Sequence, residues 1–263
     1  ILEVAENPAS TAPDLAEQIA KDPALTLKVL RTVNSAFYGF HRRIQTVFDA
    51  VVLLGFSEVE RLALAITVIN LFGGERHRAR ALGQLWSHSL ACSIAAEGIA
   101  AAFTRSPAVV GAAQVAALLH DIGKAILWQT LPEAVPEIMN LITREGLNTR
   151  DAERAVLDGI SHCEIGAWVA ESWHLPPNLV EAILLHHEPE NASEGNLLVP
   201  ITHLADWVCW DLEIPSNRIE IISSTVRPQL RTFSQADENL LKQACERVQK
   251  HRNLVGTIAF FAV

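Results

Sequence analysis

The chain has 263 residues, 49% of them hydrophobic and 19% charged, with a formal net charge of −9. That length and apolar content suffice for a buried core, as one large domain or two smaller ones, whereas the acidic balance argues against a protein that neutralises nucleic-acid phosphates. Without an apolar run of about 18 residues or a basic-then-apolar leader, neither a membrane span nor a signal peptide is expected.

Helical spacing dominates nearly every patterned stretch, and alternating strand-type runs are scarce, so the predicted fold is all-α. A two-part helical bundle is expected: a small N-terminal unit over residues 1–75, a larger unit over 76–214 and a C-terminal helical extension over 215–263. The sequence opens at Ile1 in mid-pattern, as expected of a piece of a longer protein.

Pro13 and Pro23 fit the first turns of two helices, with Asp22 as N-cap of the second. The loop from Asn34 to Arg43 carries Phe37, Tyr38 and Phe40, either packed between the two units or exposed as anchors for a partner. Its basic cluster, His41, Arg42 and Arg43, reads as a solvated loop, as does Arg76 to Arg80. Ser57 and Glu60 have capping-box spacing before LALAITVINLF, which should stop at Gly73 and Gly74.

A helix near Ala81 to Phe103 carries His88. GAAQVAALLHD ends on His120 and Asp121, with Gly123 as its expected left-handed stop. Ser161 and Glu164 form a second capping box and put His162 in the first turn of a helix. Pro176 and Pro177 introduce NLVEAILLHHE, which ends on His186 and His187, and LLVPITHLADWVCW places Asp206 in an apolar helix. ENLLKQACERVQKHRN, with Ser234 and Asp237 at capping spacing, reads as an amphipathic helix packed on the larger unit or used as a homodimer contact. The final LVGTIAFFAV is apolar enough to need cover. The six tryptophans read as core and hinge packing.

Four cysteines, Cys92, Cys163, Cys209 and Cys245, lie far apart with no CxxC pair, which indicates reduced thiols in a cytoplasmic chain. A lone His on an apolar face is more often a hydrogen-bonded core residue than a ligand, and His174, His203 and His251 take that reading. Asp206 is different, because an unpaired buried carboxylate costs several kcal/mol unless an ion, a cation or donors compensate. His88, His120, Asp121, His162, His186, His187 and Asp206, spread over separate helices, thus point to a common ion. Imidazoles and carboxylates suit iron, manganese, nickel or zinc, in a mononuclear or dinuclear site.

The order His, His-Asp, His, His-His, Asp resembles the ligand order of the HD superfamily of metal-dependent phosphohydrolases. That resemblance implies His88, His120, Asp121 and Asp206 as ligands of one ion and Asp121 as a bridge to a second held by His162, His186 and His187. It also implies that Lys124 of the HDIGK segment assists phosphate chemistry if the chain is an enzyme. A closer resemblance, to the HDOD family of bacterial signalling output domains, takes in the front of the chain as well. It is carried by Asp22-Pro23, Asn34-Ser35, Tyr38-Gly39, Ile44, Ala50 and Leu54-Gly55, and by LWSHS, LLHDIGK, SHCEIGAWVAESWHLPPNLVEAILLHH and LADW behind them.

The HDOD resemblance implies a cytoplasmic, bacterial regulatory module that contacts a signalling protein or an upstream receiver-type domain, with no nucleic-acid or membrane partner. A metal-dependent phosphohydrolase is the alternative from another class. After His186-His187-Glu188 the chain reads PENASEGN, without the Gly-Tyr-Pro triplet of cyclic di-GMP phosphodiesterases.

Overall fold

The computed structural model describes residue 4 and residues 9–35, 38–71, 76–211 and 236–250, with the side chains of 68–81, 210–211 and 236–241 left aside. Among the described residues the chain is helical with no strand, as the periodicity predicts.

Four helices come first: α1 (Ala12–Ala20), α2 (Pro23–Val33), α3 (Val47–Leu54) and α4 (Phe56–Leu71). Asp22 caps α2, accepting from the N–H groups of Ala24 and Leu25 at 2.9 and 3.1 Å. After α2, the Asn34 amide donates to the carbonyls of Leu30 and Ile44, each at 2.8 Å, and accepts from Ile44 N–H. This one side chain pins both ends of the following loop. Within that loop Tyr38 and Phe40 stack with centroids 6.2 Å apart. Tyr38 donates its hydroxyl to Glu58 at 2.7 Å. His41, Arg42 and Arg43 are exposed, while Phe37 lies outside the described residues.

The expected cap at Ser57 is displaced. Gly55, at φ +92°, ends α3 and directly accepts the first bond of α4 from Val59 N–H. Ser57 therefore sits inside the helix, and no separate cap is needed. The expected stop at Gly73 and Gly74 lies outside the described residues.

The long helix α5 (Arg76–Phe103) starts ahead of its predicted Ala81 and serves as the hub, packing on α6 (Pro107–Leu119), α12 (Leu198–Asp211) and α13 (Ala236–Lys250). Between these lie α7 (Ile122–Thr130), α8 (Val135–Glu145), α9 (Thr149–Val156), α10 (His162–Ser172), α11 (Pro177–Leu185) and a short 3-10 turn, Pro189–Asn191. One apolar cluster runs from Leu15 and Ile19 through Leu85, Ile94 and Ile183 to Val248, and a smaller one gathers Leu127, Ile138, Ile142 and Ala152, with Trp128 touching both. The C-terminal helix joins the first cluster through Ala244 and Val248, and Arg247 pairs with Glu97 at 2.5 Å. The Ser234 cap and the apolar end lie outside the described residues.

Two expectations need correction. Gly123 is not a left-handed stop: His120 keeps right-handed helical angles (φ −52°, ψ −37°) and the chain runs straight into α7. Gly123 instead permits contact, because a Cβ there would overlap the His162 carbonyl and lie 2.8 Å from Gly166 N. The tryptophans are not all packing residues, since Trp168 is 54% exposed and Trp173 also faces solvent.

The continuous apolar stretch Pro107–Thr130 has the length and composition of a membrane span. Most of it is nonetheless buried within the fold, and it carries the buried polar residues His120, Asp121 and Lys124.

Candidate metal centre

The folding of the rear helices puts the candidate side chains at helix ends that converge. His88 comes from the middle of α5, His120 and Asp121 from the junction of α6 and α7, and His162 from the start of α10. His186 and His187 follow the end of α11, and Asp206 lies within α12. The Ser161–Glu164 capping box is present, with Glu164 accepting Ser161 N–H at 2.8 Å, and it fixes the turn that delivers His162. All of these residues are buried except His187, which is partly so.

Asp121 is the centre. Its Oδ2 takes the Lys124 ammonium at 2.9 Å and lies 3.4 Å from His120 Nε2 and 3.9 Å from His88 Nε2. Its Oδ1 faces the other way, 3.4 Å from His162 Nε2 and 3.8 Å from His186 Nε2. Asp206 Oδ1 sits 2.9 Å from His88 Nε2 and 3.8 Å from His120 Nε2. His162 and His187 bring their Nε2 atoms to 3.2 Å. Every residue singled out from sequence as a ligand is thus in one cluster. His174 is not: it is exposed, at the left-handed turn after α10. His251 lies outside the described residues.

Three of the imidazoles have Nδ1 held by an acceptor. His120 Nδ1 lies 2.7 Å from the Ala117 carbonyl, and His186 Nδ1 lies 2.7 Å from the Ile183 carbonyl. A carbonyl only accepts, so Nδ1 carries the proton and Nε2 turns a lone pair inward. For His162 the acceptor is Glu153, whose carboxylate takes Nδ1–H at 2.6 Å and the backbone N–H at 2.8 Å. A second partner that fixes the ring and its tautomer is what metal-bound histidines ordinarily have.

Three buried atoms that face this cluster, His120 Nε2, His186 Nε2 and Asp121 Oδ1, have no hydrogen-bond partner. Leaving such groups unpaired in an apolar interior costs about 1–3 kcal/mol each, and a divalent ion would satisfy all of them. The donor set therefore fits a transition metal on the chemistry of these residues alone.

Electrostatics agree with that fit at Asp121, Asp206 and His186 and run against it at His162. Burial works to raise Asp121, but Lys124, His120 and His162 outweigh it and hold the carboxyl well below the usual carboxylate range. Asp206 is likewise pushed up by burial and brought below its ordinary value by the hydrogen bond and charge of His88, with help from His120. Burial, reinforced by His187, His120 and His162, depresses His186 well below an ordinary imidazole. It is thereby kept neutral, as a metal ligand must be. For His162 burial pulls downward while Cys163 and Glu153 prevail in the other direction.

Sequence reading missed Glu153. It lies in an amphipathic segment among other charged residues, and nothing in its spacing separates it from a solvated glutamate. His203 is the hydrogen-bonded core residue that the sequence suggests: it is buried, and its Nδ1 lies 2.7 Å from the His186 carbonyl and supports the end of α11 from α12. Two thiols also border the cluster: Cys92 Sγ is 3.4 Å from His88 Nε2, and Cys163 Sγ is 3.5 Å from His162 Nε2.

An all-α bundle closed around buried histidines and carboxylates from several helices defines an HD-like class of protein. Within it, the HDOD domain model matches residues 1–189, and the chain belongs to the HDOD family. An uncharacterised protein of Treponema pallidum (strain Nichols) is 25% identical over 241 residues, covering 88% of this chain and 45% of the relative. The chain thus spans less than half the length of that protein.

Among solved structures, an HDOD domain protein of unknown function from Geobacter sulfurreducens superposes with a TM-score of 0.73 at 23% identity, covering 99% of this chain and 89% of the other. A protein from Shewanella amazonensis SB2B, provisionally named a phosphohydrolase, gives 0.73 at 23% identity over 100% and 91%. A protein from Marinobacter aquaeolei VT8, provisionally named for signal transduction, gives 0.76 at 21% identity over 99% and 57%. These likenesses establish the shared fold.

Proposed function

We propose that this chain is a regulatory output module of bacterial, cytoplasmic signalling, in which a divalent transition metal ties the rear helices together and the surface engages a signalling partner or a receiver-type domain. The observation that carries this reading is the burial of six of the seven candidate ligands, all but His187. His120, His162 and His186 are fully buried, and Lys124 is buried with its ammonium on Asp121. A metal so enclosed adds its binding energy to folding. Iron, manganese, nickel and zinc are the candidate ions, in one or two positions joined by Asp121. The ligands would be His88, His120, Asp121 and Asp206 on one side and His162, His186 and His187 on the other. We assign residues 1–75, 76–214 and 215–263 to an N-terminal helical part, an HD-like part and an extension, and a homodimer is compatible with this arrangement.

A second reading, a metal-dependent phosphohydrolase acting on a nucleotide or cyclic dinucleotide, is favoured by one observation. His187 is partly exposed and adjoins His162, giving the cluster a solvent-facing side. In that case Lys124 would contact substrate phosphate. Two measurements decide between the readings: metal content of protein purified without chelator, and turnover of generic phosphodiesters and cyclic dinucleotides. At least one metal per chain without turnover is the expected result. Turnover that disappears in Asp121→Ala would establish the enzyme, and absence of any bound metal would overturn both.

A further inference from the structure

We propose that Cys92 is a metal ligand: its thiolate joins His88, His120 and Asp206 to complete a four-donor site for a divalent transition metal of borderline softness. The inference rests on the metal reading above and goes beyond it, because the histidine and aspartate pattern in the sequence gives no place to sulfur.

The geometry begins on α5. His88 and Cys92 are four residues apart, so they stand on one face of the helix, one turn apart. Cys92 is fully buried, and its Sγ lies 3.4 Å from His88 Nε2. With metal–nitrogen and metal–sulfur bonds of about 2.05 and 2.3 Å, two ligands of a tetrahedral ion lie about 3.5 Å apart. The observed separation is that edge.

The other donors close the figure. One donor atom from each of His88, Cys92, His120 and Asp206 lies within 4.8 Å of all the others, and all four residues are buried. His120 Nε2, directed there by the Ala117 carbonyl, makes no hydrogen bond. Asp121, the alternative fourth ligand, is engaged elsewhere: its Oδ2 takes Lys124 at 2.9 Å, against 3.4 Å to His120 Nε2 and 3.9 Å to His88 Nε2, and its Oδ1 faces His162 and His186.

A sulfur ligand narrows the ion. Thiolate with imidazole and one carboxylate suits Zn²⁺, Fe²⁺ or Co²⁺ and disfavours Mg²⁺ and Ca²⁺, which seek oxygen. Binding releases the thiol proton to solvent, since the ligand is the thiolate.

Cobalt substitution tests the assignment. Metal-free protein, titrated with Co²⁺ under anaerobic conditions, should develop visible ligand-field bands together with a near-ultraviolet sulfur-to-cobalt charge-transfer band. Cys92→Ser should keep the ligand-field bands and lose the charge-transfer band, whereas Cys163→Ser and Cys209→Ser should retain both. A charge-transfer band that survives Cys92→Ser, or that disappears with Cys163→Ser instead, overturns the proposal. So do ligand-field bands without charge transfer in the unmodified protein, a result that leaves the metal reading standing. Failure to take up Co²⁺ or Zn²⁺ at all sinks both.

If Cys92→Ser does not fold, X-ray absorption on the zinc-loaded Cys163→Ser protein answers the question. One sulfur at about 2.3 Å is expected, and a shell of nitrogen and oxygen alone is the contrary outcome.

Discussion

Two buried polar groups, one in α1–α4 and one in the helices behind, are closed by different means. In the front helices Arg61 is met by Glu58, less than one turn away on the same helix, and Tyr38 donates to the other oxygen of that carboxylate. Cation and anion offset each other locally. In the rear helices imidazoles face carboxylates carried by other helices, and His120 Nε2, His186 Nε2 and Asp121 Oδ1 have no hydrogen-bond partner. The front group balances its charge although Arg61 Nε and Nη1 have no hydrogen-bond partner, while the rear one is shaped for a charge supplied from outside. A buried ion pair is a weak source of stability, but a metal shared by several helices couples them directly to the folding equilibrium.

The sharpest way to break this contrast is to remove the ion. Asp121→Ala should lower the metal content, as measured by elemental analysis, because it removes the carboxylate between the two groups of histidines. Chelation should lower the melting temperature of the unmodified protein by roughly 10 °C, the equivalent of about 3 kcal/mol for a ligand present at a hundredfold excess over its dissociation constant. Hydrogen exchange should locate that loss in α6, α7 and α10–α12 and leave α1–α3 unchanged. A loss spread evenly over both regions would erase the distinction.

A comparable loss should come from Gly123→Ala, which forces a methyl group against the His162 carbonyl. The expected cost is about 3 kcal/mol in denaturant unfolding, with weakened metal binding because His162 must move. Glu153→Gln is milder. It keeps the shape but removes the charge behind His162, so metal affinity should fall about 10–100-fold with little change in the stability of metal-free protein. Equal affinities would reduce Glu153 to a helix-packing residue.

The smallest effects concern acid titration, and they have opposite signs in the two regions. Burial in α4 pushes Glu60 up from 4.5 to about 7, so its contribution is complete below pH 4.5 and is lost as the pH rises toward 7. Burial also works to raise Glu164, but hydrogen bonds from Ser161 and Arg154 bring it down from 4.5 to about 2. Its contribution is therefore present above pH 4.5 and fades as the pH falls toward 2. Stability–pH curves should flatten on the neutral side in Glu60→Gln and on the acid side in Glu164→Gln. The reverse assignment would show that these carboxylates are governed by other neighbours.

The all-α fold was legible because the apolar spacing, the proline starts and the caps at Asp22 and Ser161 all point the same way. The grouping of His88, His120, Asp121, His162, His186, His187 and Asp206 was legible too, since polar residues on apolar helices stand out. What stayed hidden depends on tertiary contact. Gly123 read as a helix stop because spacing carries no information about the α10 backbone pressed against it. Glu153 drew no notice because its partner is a histidine on another helix. Trp168 and Trp173 read as packing because size alone does not say which side of a helix faces water.

The main-chain anchors behind His120 and His186 carry an evolutionary consequence. Each ring is oriented by a carbonyl three residues earlier, at Ala117 and Ile183, and no side-chain replacement at those positions deletes a carbonyl. These two arms can keep their aim while neighbouring residues drift. The His162 arm relies on one replaceable carboxylate, and among divergent homologues it is where the cluster should first be lost.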